Sequence, residues 1–87
     1  MARFELQFRE SVAKDLRGLP KADVKRILRR IGELAEEPRG PGSEKLAGSE
    51  YYRVRQGMYR IIYEIRDEVL VVVVIKVGNR RDVYRGL

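Results

Sequence analysis

The side chains available for chemistry are few in kind. The 87-residue chain carries 19 basic residues against 13 acidic ones, a net charge of +6, and it has neither histidine nor cysteine. Without histidine the usual general base near neutral pH and the commonest metal ligand are missing. Without cysteine there is no thiol nucleophile, no disulfide framework and no cysteine-ligated zinc. What remains in quantity is arginine, 14 against 5 lysines, whose planar fork suits bidentate contact with phosphate. The excess is uneven: residues 51–87 hold 8 basic and 4 acidic side chains, +4 of the total. A polyanionic partner is expected, and no metal or cofactor.

Three of these arginines fall on adjacent strand-like segments. In residues 58–66 the set Tyr59, Ile61, Tyr63, Ile65 is apolar and expected to face a core, which sends Arg60, Ile62 and Glu64 to the other face. If Gln56 and Gly57 form a two-residue turn, Arg55 lies opposite Met58 and Arg53 directly opposite Arg60, so Arg53, Arg55 and Arg60 share one face. Like charges so placed destabilise a strand pair by roughly a few tenths to 1 kcal/mol. Two readings are open: a solvated polar face of a basic protein, or an anion cradle. The tail adds Arg80, Arg81 and Tyr84. Tyr84 is either an anchor packed on the core or a phenol held among guanidinium groups. The basic run Lys25, Arg26, Arg29, Arg30 reads better as a solvated helix flank.

The elements that must position these residues follow from periodicity. Residues 3–8 alternate polar and apolar side chains, with Phe4, Leu6 and Phe8 inward, as a half-buried strand does. From Glu10 the spacing of Val12, Ala13, Leu16 and Leu19 is helical until Gly18 and Pro20 stop it. Val24, Ile27, Leu28, Ile31, Leu34 and Ala35 mark a second helix that ends before Pro38. Residues 38–48, with two prolines and three glycines, read as a loop. Strands are expected at 51–55, 58–66 and 69–77, the last apolar on both faces and so internal to the sheet. The order is βααβββ: an α+β fold in which a small, mostly antiparallel four-stranded sheet packs against a two-helix hairpin. With 44% hydrophobic and 37% charged residues, the chain has the apolar content to fold as one domain spanning residues 1–87. Its longest apolar run is far too short to cross a bilayer, and a soluble, cytoplasmic protein with no membrane partner is expected.

The motifs Glu44-Lys45-Leu46-Ala47-Gly48, Tyr52-Arg53-Val54-Arg55, Gly57-Met58-Tyr59-Arg60-Ile61-Ile62-Tyr63 and Val77-Gly78-Asn79-Arg80-Arg81-Asp82-Val83-Tyr84 resemble those of the RelE/ParE toxin superfamily, and within it the RelE-type mRNA interferases. The resemblance runs over nearly the whole chain. It implies the toxin of a toxin-antitoxin pair, a ribosome-dependent endoribonuclease that cuts mRNA in the A site by attack of a ribose 2′-hydroxyl on the adjacent phosphate, without a metal. The implied partners are the ribosome, mRNA and a cognate antitoxin in a heteromeric complex. Residue by residue, Arg53 and Arg55 match two basic catalytic positions, often lysines, and Arg60 matches the phosphate-binding arginine. Arg80 and Tyr84 match the tail arginine and tyrosine of the catalytic set, and Lys45 and Arg81 are assigned to RNA binding. Arginine cannot readily exchange protons near neutrality, which leaves Tyr84 as the titrating group of this set. Two rivals are a ParE-like toxin that poisons DNA gyrase without cutting nucleic acid, and a non-catalytic RNA-binding module. The second would need surface aromatics interleaved with the basic residues, and Tyr51 and Tyr84 supply few.

Overall fold

A computed structural model describes residues 3–79 and 83–84. In chain order the elements are β1 (Glu5–Phe8), α1 (Glu10–Arg17), α2 (Lys21–Glu36), β2 (Glu44–Lys45), β3 (Tyr51–Gln56), β4 (Tyr59–Arg66), a 3-10 turn (Asp67–Val69) and β5 (Val71–Asn79). The strands form one sheet in the order β1-β5-β4-β3-β2, with β1 parallel to β5 and the other pairs antiparallel. The sheet therefore has five strands where the sequence predicts four. The extra one, β2, lies in the segment expected to be a loop. A two-residue strand has no periodicity to betray it, and its pairing with β3 is a tertiary event.

Two apolar layers sandwich the sheet. Val12, Ile27, Ile31 and Leu34 from the helices pack on Val54, Tyr59, Ile61, Tyr63, Val72, Val74 and Val77. On the outer face Ile62, Val71, Val73 and Ile75 gather with Val83 from the tail, and Leu46 and Tyr51 pack against them. This double burial is why β5 reads as an uninterrupted β-branched run. Phe8, expected inside, is exposed. β5 also begins two residues later than its β-branched run suggests, because Leu70 adopts a left-handed conformation (φ 54°) that closes the 3-10 turn first.

A bulge in β5 sets the faces near the site. Ile62 pairs with Lys76 but Tyr63 with Val74, so Ile75 is supernumerary. The extra residue reverses the alternation: Val77 turns toward the helices, and Gly78, paired with Arg60, shares the arginine's face. The Val77 N–H donates to Asp15 Oδ2 of α1 at 3.2 Å.

The segment between α2 and β2 is pinned by the core. The buried Tyr63 hydroxyl donates to the Pro38 carbonyl at 2.6 Å, and its ring stacks on Tyr52. Arg39 donates to both carboxylate oxygens of Asp67, at 2.9 and 2.8 Å, and lies over the Tyr52 ring. Burial pushes the Tyr63 phenol up to about 12. Above pH ~10 the unfolded chain loses this proton while the fold retains it, so stability falls as pH rises toward 12. We expect Tyr63→Phe to cost about 1 kcal/mol at pH 7, the scale of the lost hydrogen bond, and to flatten that alkaline loss. Tyr59, whose phenol is raised first by its bond to Asp23, sustains the remainder. Denaturant unfolding at pH 8, 10 and 11.5 measures both effects, and an equally steep loss in the variant would assign the alkaline sensitivity elsewhere.

Candidate active site

The site grows from the β3–β4 hairpin. Gln56 pairs with Tyr59, so the two-residue turn is Gly57-Met58 and not Gln56-Gly57. Gly57 has φ +60°, the positive φ that a type II′ turn requires at its first central position, where glycine is unstrained. Arg55 is thereby set opposite Arg60, and Arg53 opposite Ile62. The predicted pairing of Arg53 with Arg60 is off by two residues. A slip of two preserves which face each side chain occupies, so Arg53, Arg55 and Arg60 do share the outer face, away from the helices.

The three arginines differ in their surroundings. Arg55 is exposed. Arg60 is 7% exposed, and its buried Nε has no hydrogen-bond partner among the described residues. Among the described residues neither has a carboxylate partner. Together with Gly57, Met58 and Asn79 they line an open depression of about 340 Å³. Two guanidinium groups directly opposed across a strand pair, one of them buried with an unsatisfied donor, form an arrangement that costs stability and that an anionic group would relieve.

Arg53 is already engaged. Its Nη1 donates to the Tyr84 hydroxyl at 2.8 Å and its Nη2 donates to Glu44 Oε2. Chiefly through the Tyr84 bond, and further through Glu44, its guanidinium is held above the ordinary arginine range. Tyr84 is set near Arg53 by Val83, which is fully buried, stands over the side-chain-free face of Gly78 and donates its N–H to the Asn79 carbonyl at 3.0 Å. The buried anchor of this segment is Val83, and the exposed Tyr84 phenol belongs to the arginine cluster.

Of the other predicted site residues, Lys45 pairs with Tyr52, whose ring packs in the helix-side core. It lies on the face opposite the arginines, because β2 alternates like any strand and Glu44 takes the outer position. Arg80 and Arg81 lie outside the described residues. Sequence reasoning missed Glu44 as a contact of the site. Its only signal is adjacency to Lys45-Leu46, and nothing local shows that it pairs with Arg53.

A ribonuclease site and a bare anion-binding face would both use this geometry, and kinship narrows the choice of protein class. The family described as the ParE toxin of the type II toxin-antitoxin system parDE matches residues 6–84. The chain belongs to the RelE/ParE superfamily of toxins from type II toxin-antitoxin systems. Toxin RelG of Mycobacterium tuberculosis is 33% identical over 86 residues, covering 94% of this chain and 97% of its own. The mRNA interferase toxin RelE of Escherichia coli is 33% identical over 82 residues, 92% of this chain and 85% of its own. The toxin of the archaeal RelE-RelB complex from Pyrococcus horikoshii superposes with a TM-score of 0.80 at 31% identity, over 94% of this chain and 99% of that one.

Proposed function

We propose that this toxin is an mRNA interferase: an endoribonuclease that cuts mRNA in the A site of the ribosome. The observation that carries the reading is the Arg55–Arg60 pair, opposed across the hairpin with a buried unsatisfied donor at Arg60, beside a phenol held by Arg53. In the reaction the 2′-oxygen attacks the adjacent phosphorus and loses its proton. The bond to the 5′-oxygen breaks, and that oxygen gains a proton. The phosphate collects negative charge in between, which donors fixed in advance stabilise most when water is excluded. Arg55 and Arg60 are assigned to the phosphate. Arg53 is assigned first to Tyr84 and Glu44, each of which takes one donor from one of its terminal nitrogens. Tyr84 is the proton-exchanging group of the set, and no step calls for a metal. With so few titrating groups, alignment of mRNA by the ribosome supplies much of the rate.

The same reading places the protein in the cytoplasm, where it is silenced in a heteromeric complex by a cognate antitoxin. The kinship with a RelE-RelB complex and the +6 charge support such a partner, acidic or amphipathic, whose association is fast and salt-sensitive. No helix among the described residues is long and apolar enough to cross a membrane.

The match to a family described by ParE favours a second reading, poisoning of DNA gyrase. One paired assay separates the two. The purified toxin is given programmed ribosomes in one arm, and gyrase with supercoiled plasmid in the other. Cleaved mRNA with intact DNA is expected. Gyrase-dependent DNA breaks with intact mRNA would replace the proposal with the second reading.

A further inference from the structure

Glu44 is a carboxylate bound to Arg53 of the arginine face, and the proposed reaction gives it no task. We propose that Glu44 is a positioning residue: it holds the Arg53 guanidinium so that Nη1 meets the Tyr84 hydroxyl, and a relay Glu44–Arg53–Tyr84 fixes the phenol over the face that carries Arg55 and Arg60. The inference rests on the mRNA interferase reading for its catalytic consequence.

Three features carry it. A guanidinium is rigid and planar, so fixing one nitrogen fixes the other. Glu44 takes Nη2 and Tyr84 takes Nη1. The pair is also poorly placed to serve stability alone, because the Glu44 side chain is 63% exposed and solvated ion pairs contribute little. Finally, a carboxylate placed merely to relieve repulsion belongs beside the directly opposed Arg55 and Arg60. Glu44 instead pairs across the sheet with Arg53, whose partner on β4 is Ile62. The strand that carries Glu44 is held in turn by the loop that Tyr63 and Arg39 pin.

The test is a double-mutant cycle in single-turnover cleavage on programmed ribosomes, using wild type, Glu44→Gln, Tyr84→Phe and the double variant. Glu44→Gln should lower the rate at saturating ribosomes about tenfold, the scale of one charged hydrogen bond, with the half-saturating ribosome concentration changed by less than about twofold. Glu44→Asp should recover part of the loss. In the Tyr84→Phe background, Glu44→Gln should add less than about twofold, because its effect passes through the hydroxyl. A wild-type rate for Glu44→Gln, or a full tenfold loss persisting without the hydroxyl, would overturn the proposal. An NMR arm on the free toxin needs no activity: Glu44→Gln should shift the Tyr84 ring resonances and leave those of Tyr63 in place. Unmoved Tyr84 resonances would overturn the relay even if ribosomes are cut. Wild-type toxin inert on ribosomes would instead defeat the mRNA reading, with the NMR arm still deciding Glu44.

Discussion

Replacing Arg60 by alanine is expected to lower ribosome-dependent cleavage by about two orders of magnitude or more, the scale for removing one preorganised donor from a centre that gains charge. Arg60 is buried, yet its Nε donates to no partner among the described residues. A buried guanidinium with an unsatisfied donor costs stability. Arg60→Met, which keeps most of the volume, should therefore melt no lower than wild type while losing activity to a similar degree. Stability bought at the expense of function is the mark of a site residue. Cleavage rates and thermal melts on the same preparations measure both halves. A variant that is unstable but fully active would make Arg60 a structural residue.

Tyr84→Phe is the second large effect expected. Arginine is only a donor, so in the bond from Arg53 Nη1 the phenolic oxygen accepts, and the phenol's own proton is left to be given elsewhere. Deleting the hydroxyl while keeping the ring should lower the single-turnover rate about a hundredfold, the lower range for losing a positioned acid or base, with ribosome binding nearly unchanged. Tyr84→Ala should do little further harm if the hydroxyl carries the effect. A fully active Tyr84→Phe alongside an inactive Tyr84→Ala would reduce the role of Tyr84 to stacking on a displaced base.

The outer arginine face was legible because strand alternation is strict. Arg53, Arg55 and Arg60 occupy the expected face even though the turn lies at Gly57-Met58 and the pairing differs by two residues. Depth was not legible. Alternation places Arg60 outside the helix-side core but carries no information on how deeply it is covered, nor that Val83 stands over Gly78, the residue paired with Arg60. That approach in turn depends on the bulge at Ile75, which no pattern in Val71–Asn79 announces. The helices were read within a residue or two, since Gly18, Pro20 and Pro38 punctuate them. Glu44 stayed hidden, and the face that Lys45 occupies was not legible, for one reason: β2 exists only by pairing with β3, and two residues carry no period.

The central claim is that the outer arginine face aligns a phosphate for attack by its neighbouring 2′-hydroxyl on the ribosome. It is tested most directly by mapping the ends left on a defined mRNA in programmed ribosomes, with and without a single 2′-deoxy nucleotide on the 5′ side of the scissile phosphate. The account predicts ends confined to the A-site codon, a 2′,3′-cyclic or 3′-phosphate facing a 5′-hydroxyl, and loss of that cut when the 2′-hydroxyl is absent. Cleavage that persists at the deoxy position, or ends that bear a 3′-hydroxyl, would contradict it.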